Sequence, residues 1–387
     1  MIAINHCPSS LAEGFSTYSP RARKLLFDGD IVSHQLDFEL DSLRNNSEIV
    51  EAMHRISVSG VQEKFPAVIR NGHICIAGED EQSTHILKPA PWDETLMERK
   101  QIPANEILTM QIASQVYGIQ TAACGLCFSP KGQMIYITRR FDILSNGTKS
   151  LMEDFAAVIH RSELEYGKNF KYSACYEDIA KAIRQNVAVW MVDMEKYFNL
   201  VVFNYIYANG DAHLKNFSLI LQGEDYRLAP AYDLLNTSLH VGDDDFGLDG
   251  GLSPNIEKSD VYLRTGHPCR QDFELFGKSI GLIQHRVNAI LDKYMELPEK
   301  SLTLIRNSFL SDKMKRSYLR SISERTARFI RKYSPKRSTP TASPSAFPFR
   351  WSSLVVASCA FPACLSSTST NHSLITPAVS SFPDVTR

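Results

Sequence analysis

Apolar and polar positions along the chain predict three successive regimes. Two short strand-like runs, residues 65–70 and 73–77, flank Asn71-Gly72. Asn-Gly is a strong hairpin signal because both residues tolerate positive φ. A third strand follows at 84–88 and stops at Pro89, and a second hairpin is predicted over 124–138, turning through residues 129–132. Between them a helix runs from about 103 to 117. Pro103 suits its first turn, Gly118 its end, and Ile107, Leu108, Ile112, Ala113 and Val116 its single apolar face. After about residue 150 the pattern becomes helical. Residues 198–208 are almost wholly apolar and predict a helix buried on most sides. Two strands follow at 217–221 and 226–231, then helices at 272–281, 284–296 and 311–331. The expected class is α+β, with a strand-rich part over 1–150 and a helix-rich part over 151–333. The expected tail over 334–387 is rich in Ser, Thr, Pro and Ala, nearly free of charge, and without period, so disorder is expected there.

Composition narrows the function classes. With 43% hydrophobic and 22% charged residues in 387, the chain has ordinary globular composition. Lys and Arg total 42 against 43 for Asp and Glu, so strong nonspecific attraction to nucleic acid is not expected. Eight cysteines do not form a disulfide framework. Cys124 and Cys127 make a C-x-x-C pair without a second ligand pair, and are expected to be buried thiols. The start carries no signal-peptide pattern, and the weakly polar stretch 351–365 is shorter than the ~18 residues of a membrane span. A cytoplasmic protein with no membrane contact is expected.

The chemistry concentrates after the buried run, in Asn209-Gly210-Asp211-Ala212-His213-Leu214-Lys215-Asn216. Four residues separate Asp211 from Asn216, and a strand pair then delivers Asp233. Phosphoryl transfer needs a carboxylate to receive the acceptor's proton and hard oxygen ligands for magnesium, and a kinase catalytic loop spaces its Asp and Asn this way. Asp211 is the candidate base; Asn216 and Asp233 are the candidate metal ligands. The bland alternative is a polar turn whose Asp caps an element. His213 is either a structural histidine or an orienting and phosphate-contacting group. Lys215 is either a solvated loop lysine or a stabiliser of the transferring charge. Lys88 could reach ATP phosphates, held by Glu106, which could equally be a helix-start carboxylate. Asp245-Phe246-Gly247 spells a kinase metal motif but lacks a preceding strand pair, so the metal role goes to Asp233. No Walker A or G-x-G-x-x-G sequence occurs.

Several segments, in order, resemble the HipA family of bacterial serine/threonine kinase toxins: residues 56–64, Thr84 to Pro89, Arg140-Phe141-Asp142, Glu153-Asp154-Phe155, 209–218 and 228–233. The resemblance covers about residues 50–330. It implies a two-lobed protein-kinase-like fold, with a small β-rich N-lobe and a larger helical C-lobe, and ATP and Mg2+ as cofactors. It makes Asp211 the catalytic base, gives magnesium to Asn216 and Asp233, and brings Lys88 to the ATP phosphates. Glu153 and Phe155 would lie on the hinge that receives adenine, their alternatives being a helix-start carboxylate and a core aromatic. The loop 57–64, including Ser59 and Gly60, would replace a Gly-rich loop, with Ser57 or Ser59 autophosphorylated. Only about 50 residues precede that loop, as in the short HipT-like branch, where a further N-terminal subdomain is a separate small protein.

Three readings follow from the resemblance. In the first, the chain is the kinase toxin of a type II toxin–antitoxin system acting on an aminoacyl-tRNA synthetase. A helix-turn-helix antitoxin, a small subdomain-like protein, or both would neutralise it, and DNA would be met only through the antitoxin. In the second it is a small-molecule phosphotransferase. In the third it is a non-catalytic corepressor module. The loop 57–64 favours the first over the second, and the intact set of Lys88, Asp211, Asn216 and Asp233 argues against the third.

Overall fold

The structure is a computed structural model that describes residues 3–40 and 62–331, apart from 145 and 243. Ser57, Ser59, Gly60 and the expected tail over 334–387 lie outside the described residues. After a short helix, α1 (Pro20–Leu26), come β1 (Phe65–Arg70), β2 (His73–Ile76) and β3 (His85–Lys88). Helix α2 (Ile102–Gln115) separates them from β4 (Cys124–Phe128) and β5 (Met134–Arg139). The five strands form one antiparallel sheet in the order β2-β1-β3-β5-β4. Asn71 and Gly72 both adopt positive φ at the first hairpin turn, as the sequence requires.

Apolar residues from both ends of this region sandwich the sheet. Cys7, Tyr18, Leu26, Phe27, Val32 and Leu36 pack with Phe65, Leu87, Ile135 and Ile137 in one cluster. Helix α2 lies in the other, with Leu126 and Tyr136. The expectation of a single apolar face on α2 is corrected here. Its first nine residues are all buried, polar Asn105, Glu106 and Thr109 included, because each polar side chain has a buried partner. Cys124 and Cys127 are buried in β4, and burial pushes the Cys124 thiol up to about 12.

The helical region holds α3 (Tyr176–Asn186), α4 (Trp190–Ile206), α5 (Asp260–Thr265), α6 (Arg270–Ser279), α7 (Gln284–Leu291), α8 (Glu299–Asn307) and α9 (Asp312–Phe329). A three-stranded antiparallel sheet, β6 (Met152–Asp154), β7 (Ser218–Gln222) and β8 (Asp225–Leu228), is inserted in order β6-β7-β8. Helix α4 starts eight residues before the apolar run that announced it, because its first turns expose Met191 and Val192. Its C-terminal half from Tyr197 is the centre of the large core, where Phe203, Tyr207, Tyr117 and Tyr294 contact one another through their rings. Among the described residues no helix is long and apolar enough to cross a membrane.

Candidate functional site

Helix α4 delivers the first group of site residues. It ends at Tyr207, and Ala208 turns the chain with φ of 52°. The Asn209 amide closes on the Asn204 carbonyl at 2.8 Å. The Gly210 amide donates to Thr237 Oγ1 at 2.8 Å, so the turn is pinned to the segment that follows Asp233. Asn216 Nδ2 donates to the Asp211 carbonyl at 2.9 Å, closing the six-residue loop on itself before β7 begins. The second group arrives on the far side of the β7–β8 hairpin. Ala231 and Ala122 pair with the 120–122 segment and Ala231 respectively, at 2.8 and 2.9 Å. Two residues on, Asp233 adopts φ of 55°, a conformation uncommon for a residue with a side chain and costly unless its surroundings impose it.

Its side chain is held by ion pairs. Lys88, at the end of β3, bonds Asp233 Oδ1 and also donates to Glu106 Oε1 at 2.7 Å. Lys64 Nζ stands 3.6 Å from Asp233 Oδ2. Burial alone would lower the Lys88 pKa, but the charges of Asp233 and Glu106 override it and raise it. Burial alone would raise that of Asp233, but Lys88 and Lys64 hold it far below the usual carboxylate range. Burial dominates at Glu106 and pushes its carboxyl up. Removing Lys88 would leave the buried Glu106 carboxyl without its cation.

A cavity of about 460 Å³ opens between the two groups, lined by Lys64, Lys88, Glu106, Asp211, Asn216 and Asp233 among others. His213 also lines it, but its Nε2 is 3.9 Å from Asp211 Oδ1, beyond hydrogen-bond range. Burial lowers its pKa to about 3, so the ring is neutral near pH 7, and its buried Nδ1 has no hydrogen-bond partner among the described residues. The hydrogen bond that holds Asp211 comes instead from the Tyr172 hydroxyl, at 2.8 Å. Burial raises the Asp211 pKa, which strengthens it as a proton acceptor.

Three expected residues lie elsewhere. Lys215 faces Asp154 at 3.6 Å and is absent from the cavity lining. Phe155 is fully buried in the core, and Glu153 is exposed on β6 opposite Leu219. Neither of these two lines the cavity. Asp245 also stays out of it, bonded to Arg325 and to His267 Nδ1 at 2.7 Å. Its neighbour Gly247 has a different use. A Cβ there would sit 2.5 Å from the Ala212 nitrogen, so only glycine lets this segment back the Asp211 loop. Tyr176 ties the two together, donating to the Ala212 carbonyl at 2.9 Å and accepting from the Gly247 amide at 3.3 Å.

The sequence reading missed Lys171 and Tyr172. No local pattern marks them, since a 3-10 turn, Phe170–Tyr172, carries them to the cavity from about 40 residues before Asp211.

The donor set suits magnesium. Asp233 and Asn216 offer hard oxygens, and Asn209, also on the cavity wall, has a buried amide oxygen with no hydrogen-bond partner among the described residues. Among the described residues no group of three or more His, Cys, Asp or Glu gathers for a metal.

The family model described as HipA-like C-terminal domain matches residues 56–300. Y4mE of Sinorhizobium fredii, provisionally named a kinase, is 28% identical over 200 residues, which is 47% of this chain and 43% of Y4mE. A Haemophilus influenzae protein, also provisionally named a kinase, is 25% identical over 321 residues, covering 78% of this chain and 90% of that protein. HipA in the Shewanella oneidensis complex of HipA, HipB and operator DNA matches with a TM-score of 0.52 at 18% identity, over 70% of this chain and 64% of that one. The chain thus spans less than half of Y4mE and under two thirds of that HipA chain. At such identity the structural likeness is one of fold, and the fold is protein-kinase-like α+β.

Proposed function

Since this chain belongs to the family of HipA-like C-terminal domains, we propose that it is a kinase that moves the γ-phosphoryl group of ATP to a serine or threonine hydroxyl of a protein. The observation that carries this reading is the pairing of Lys88 with Glu106 and Asp233 across one cavity from Asp211 and Asn216. Lys88 holds the α- and β-phosphates as a point charge, and Glu106 fixes its position. Asn216 and Asp233 would hold magnesium. Bound there, the ion would supply positive charge against that of the phosphates. Asp211 orients the acceptor hydroxyl and takes its proton, with the Tyr172 hydroxyl keeping the carboxylate in place.

The same reading makes the chain the toxin of a type II toxin–antitoxin system, working in the cytoplasm on an aminoacyl-tRNA synthetase. An antitoxin partner is part of it, on the model of the Shewanella protein found with HipB and operator DNA. Autophosphorylation at Ser57 or Ser59 would add about −1.5 to −2 charges beside the nucleotide phosphates and so switch the enzyme off.

Expression in a bacterial host tests the proposal. The wild-type chain is expected to arrest growth and to label one dominant protein in lysate with γ-labelled ATP. The Asp211→Ala chain is expected to do neither. Equal growth arrest by both would refute a catalytic mechanism.

A further inference from the structure

Four lysines surround Asp211 and Asp233, and they are not equivalent. Lys88 and Lys64 pair with Asp233, and Lys215 pairs with Asp154. Lys171 is different. Its residue is only 8% exposed, yet among the described residues no carboxylate lies in ion-pair distance of its ammonium. Its ammonium lies over the Tyr172 ring, with Nζ 4.9 Å from the centroid. Burying a cation without a partner is costly, and a ring face offsets only part of that cost. Burial accordingly lowers the Lys171 pKa, and Asp211 is the main charge acting against that. The side chain lines the same cavity as Asp211, Asn216 and Asp233, whereas that of Lys215 does not.

A desolvated, uncompensated cation on a cavity wall is a site prepared for an anion. The 3-10 turn that carries it is fixed from behind. The Asp249 amide donates to the Tyr172 carbonyl at 3.0 Å, the Gly250 amide donates to the Ala174 carbonyl at 3.0 Å, and Arg161 Nε donates to the Ser173 carbonyl at 3.0 Å. The turn thus presents a hydroxyl to Asp211 and an ammonium to the space before it.

We infer that Lys171 is a catalytic residue that donates to the oxygens of the phosphoryl group in transit, and that Tyr172 is the positioning residue of Asp211. This rests on the phosphotransferase reading above. In the step, the bond from the γ-phosphorus to the ADP oxygen breaks and a bond from that phosphorus to the acceptor hydroxyl oxygen forms. The hydroxyl proton passes to the Asp211 carboxylate. Lys171 keeps its protons and stabilises charge spread over the three equatorial oxygens. Tyr172 keeps its proton and holds the carboxylate oxygen at 2.8 Å. Lys215 has no part in the step.

The test uses the full chain with γ-labelled ATP and bacterial lysate protein as acceptor, ATP being varied, with folding monitored by thermal melting. Lys171→Met is expected to lower kcat ~10²-fold, the scale of a lost donor to transition-state charge, with KM for ATP within ~3-fold of wild type. Lys171→Arg keeps the charge and is expected to recover at least ~10-fold of that loss. Tyr172→Phe is expected to lower kcat ~5–10-fold at unchanged KM, as one lost hydrogen bond would. Lys215→Met is expected to stay within ~3-fold of wild type. A Lys171→Met or, if that chain misfolds, a folded Lys171→Gln with kcat within ~3-fold of wild type would overturn the proposal while Asp211→Ala remains inactive. So would a loss confined to KM. Transfer by Asp211→Ala at the wild-type rate would instead sink the underlying kinase reading.

Discussion

Substituting Gly247 by alanine tests how the Asp211 loop is held. The added Cβ would meet the backbone of Ala212 at 2.5 Å from N, 2.8 Å from C and 3.0 Å from O. Ordinary carbon contacts begin near ~3.5 Å, so the two segments must part by about 1 Å. These three nearest atoms are all backbone, which cannot swing aside as the end of a side chain can. Tyr176 bridges the Ala212 carbonyl and the Gly247 amide, so parting the segments also lengthens that bridge. Overpacking of this kind costs ~1–3 kcal/mol of stability. A shift of about 1 Å at a catalytic group costs on the order of 10²-fold in rate. Gly247→Ala is therefore expected to melt a few degrees lower and to transfer phosphate roughly 10²-fold more slowly at 25 °C, where it is still folded. Gly223→Ala is the control. Its φ of 66° strains alanine, but nothing lies within 4 Å of the new Cβ. It is expected to lose ~1 kcal/mol and no kcat. Steady-state transfer assays beside melting curves decide the matter. A Gly247→Ala chain with wild-type kcat would refute the claim that this close approach positions Asp211.

The buried charges make further predictions. Lys88→Met leaves Glu106 without a cation and Asp233 with Lys64 alone, and is expected to cost ~3–5 kcal/mol in urea unfolding, while Lys88→Met with Glu106→Gln recovers part of it; additive losses would contradict the ion pair. His85 is buried, with Nε2 2.7 Å from the Leu26 carbonyl and Nδ1 2.9 Å from Thr84 Oγ1, and burial lowers its pKa from 6.5 to about 4. The unfolded chain takes up that proton first, so stability is retained above pH ~6.5 and falls by ~3 kcal/mol as pH drops to about 4. His85→Gln should remove that portion of the slope, and an unchanged slope would count against it. Asp245→Asn strands the buried Arg325 and is expected to destabilise by ~3 kcal/mol with kcat retained in the folded fraction; a lost kcat at full stability would return the metal role to the Asp-Phe-Gly triplet.

What the sequence made legible was local. Asn71-Gly72 declared its hairpin because turn chemistry depends on two residues, and both adopt the positive φ that their types allow. The spacing of Asp211 and Asn216 survives because one loop fixes it, through the Asn216 amide on the Asp211 carbonyl. Lys88 and Asp233 were singled out separately, yet nothing in the spacing said that they meet across 145 residues. What stayed hidden was tertiary. The all-round burial of α2 depends on partners for Asn105 and Glu106 that lie in distant segments, Asn236 and His240 for the one and Lys88 for the other. The three-residue strand β6 is too short to show a period, and pairing with β7 alone defines it. Lys171 and Tyr172 sit in a stretch with no helical or strand pattern of its own. Lys215 drew the candidate role because it follows Asp211 closely in sequence, but adjacency in sequence is not adjacency in the cavity.

The most direct test of the central claim separates nucleotide binding from transfer in the Asp211→Ala chain. With ATP and magnesium, this chain is expected to bind nucleotide within ~3-fold of wild type and to transfer label ~10²–10⁴-fold more slowly, since the residues assigned to the phosphates remain and only the proton acceptor is gone. Transfer at the wild-type rate by a folded Asp211→Ala chain would contradict the account.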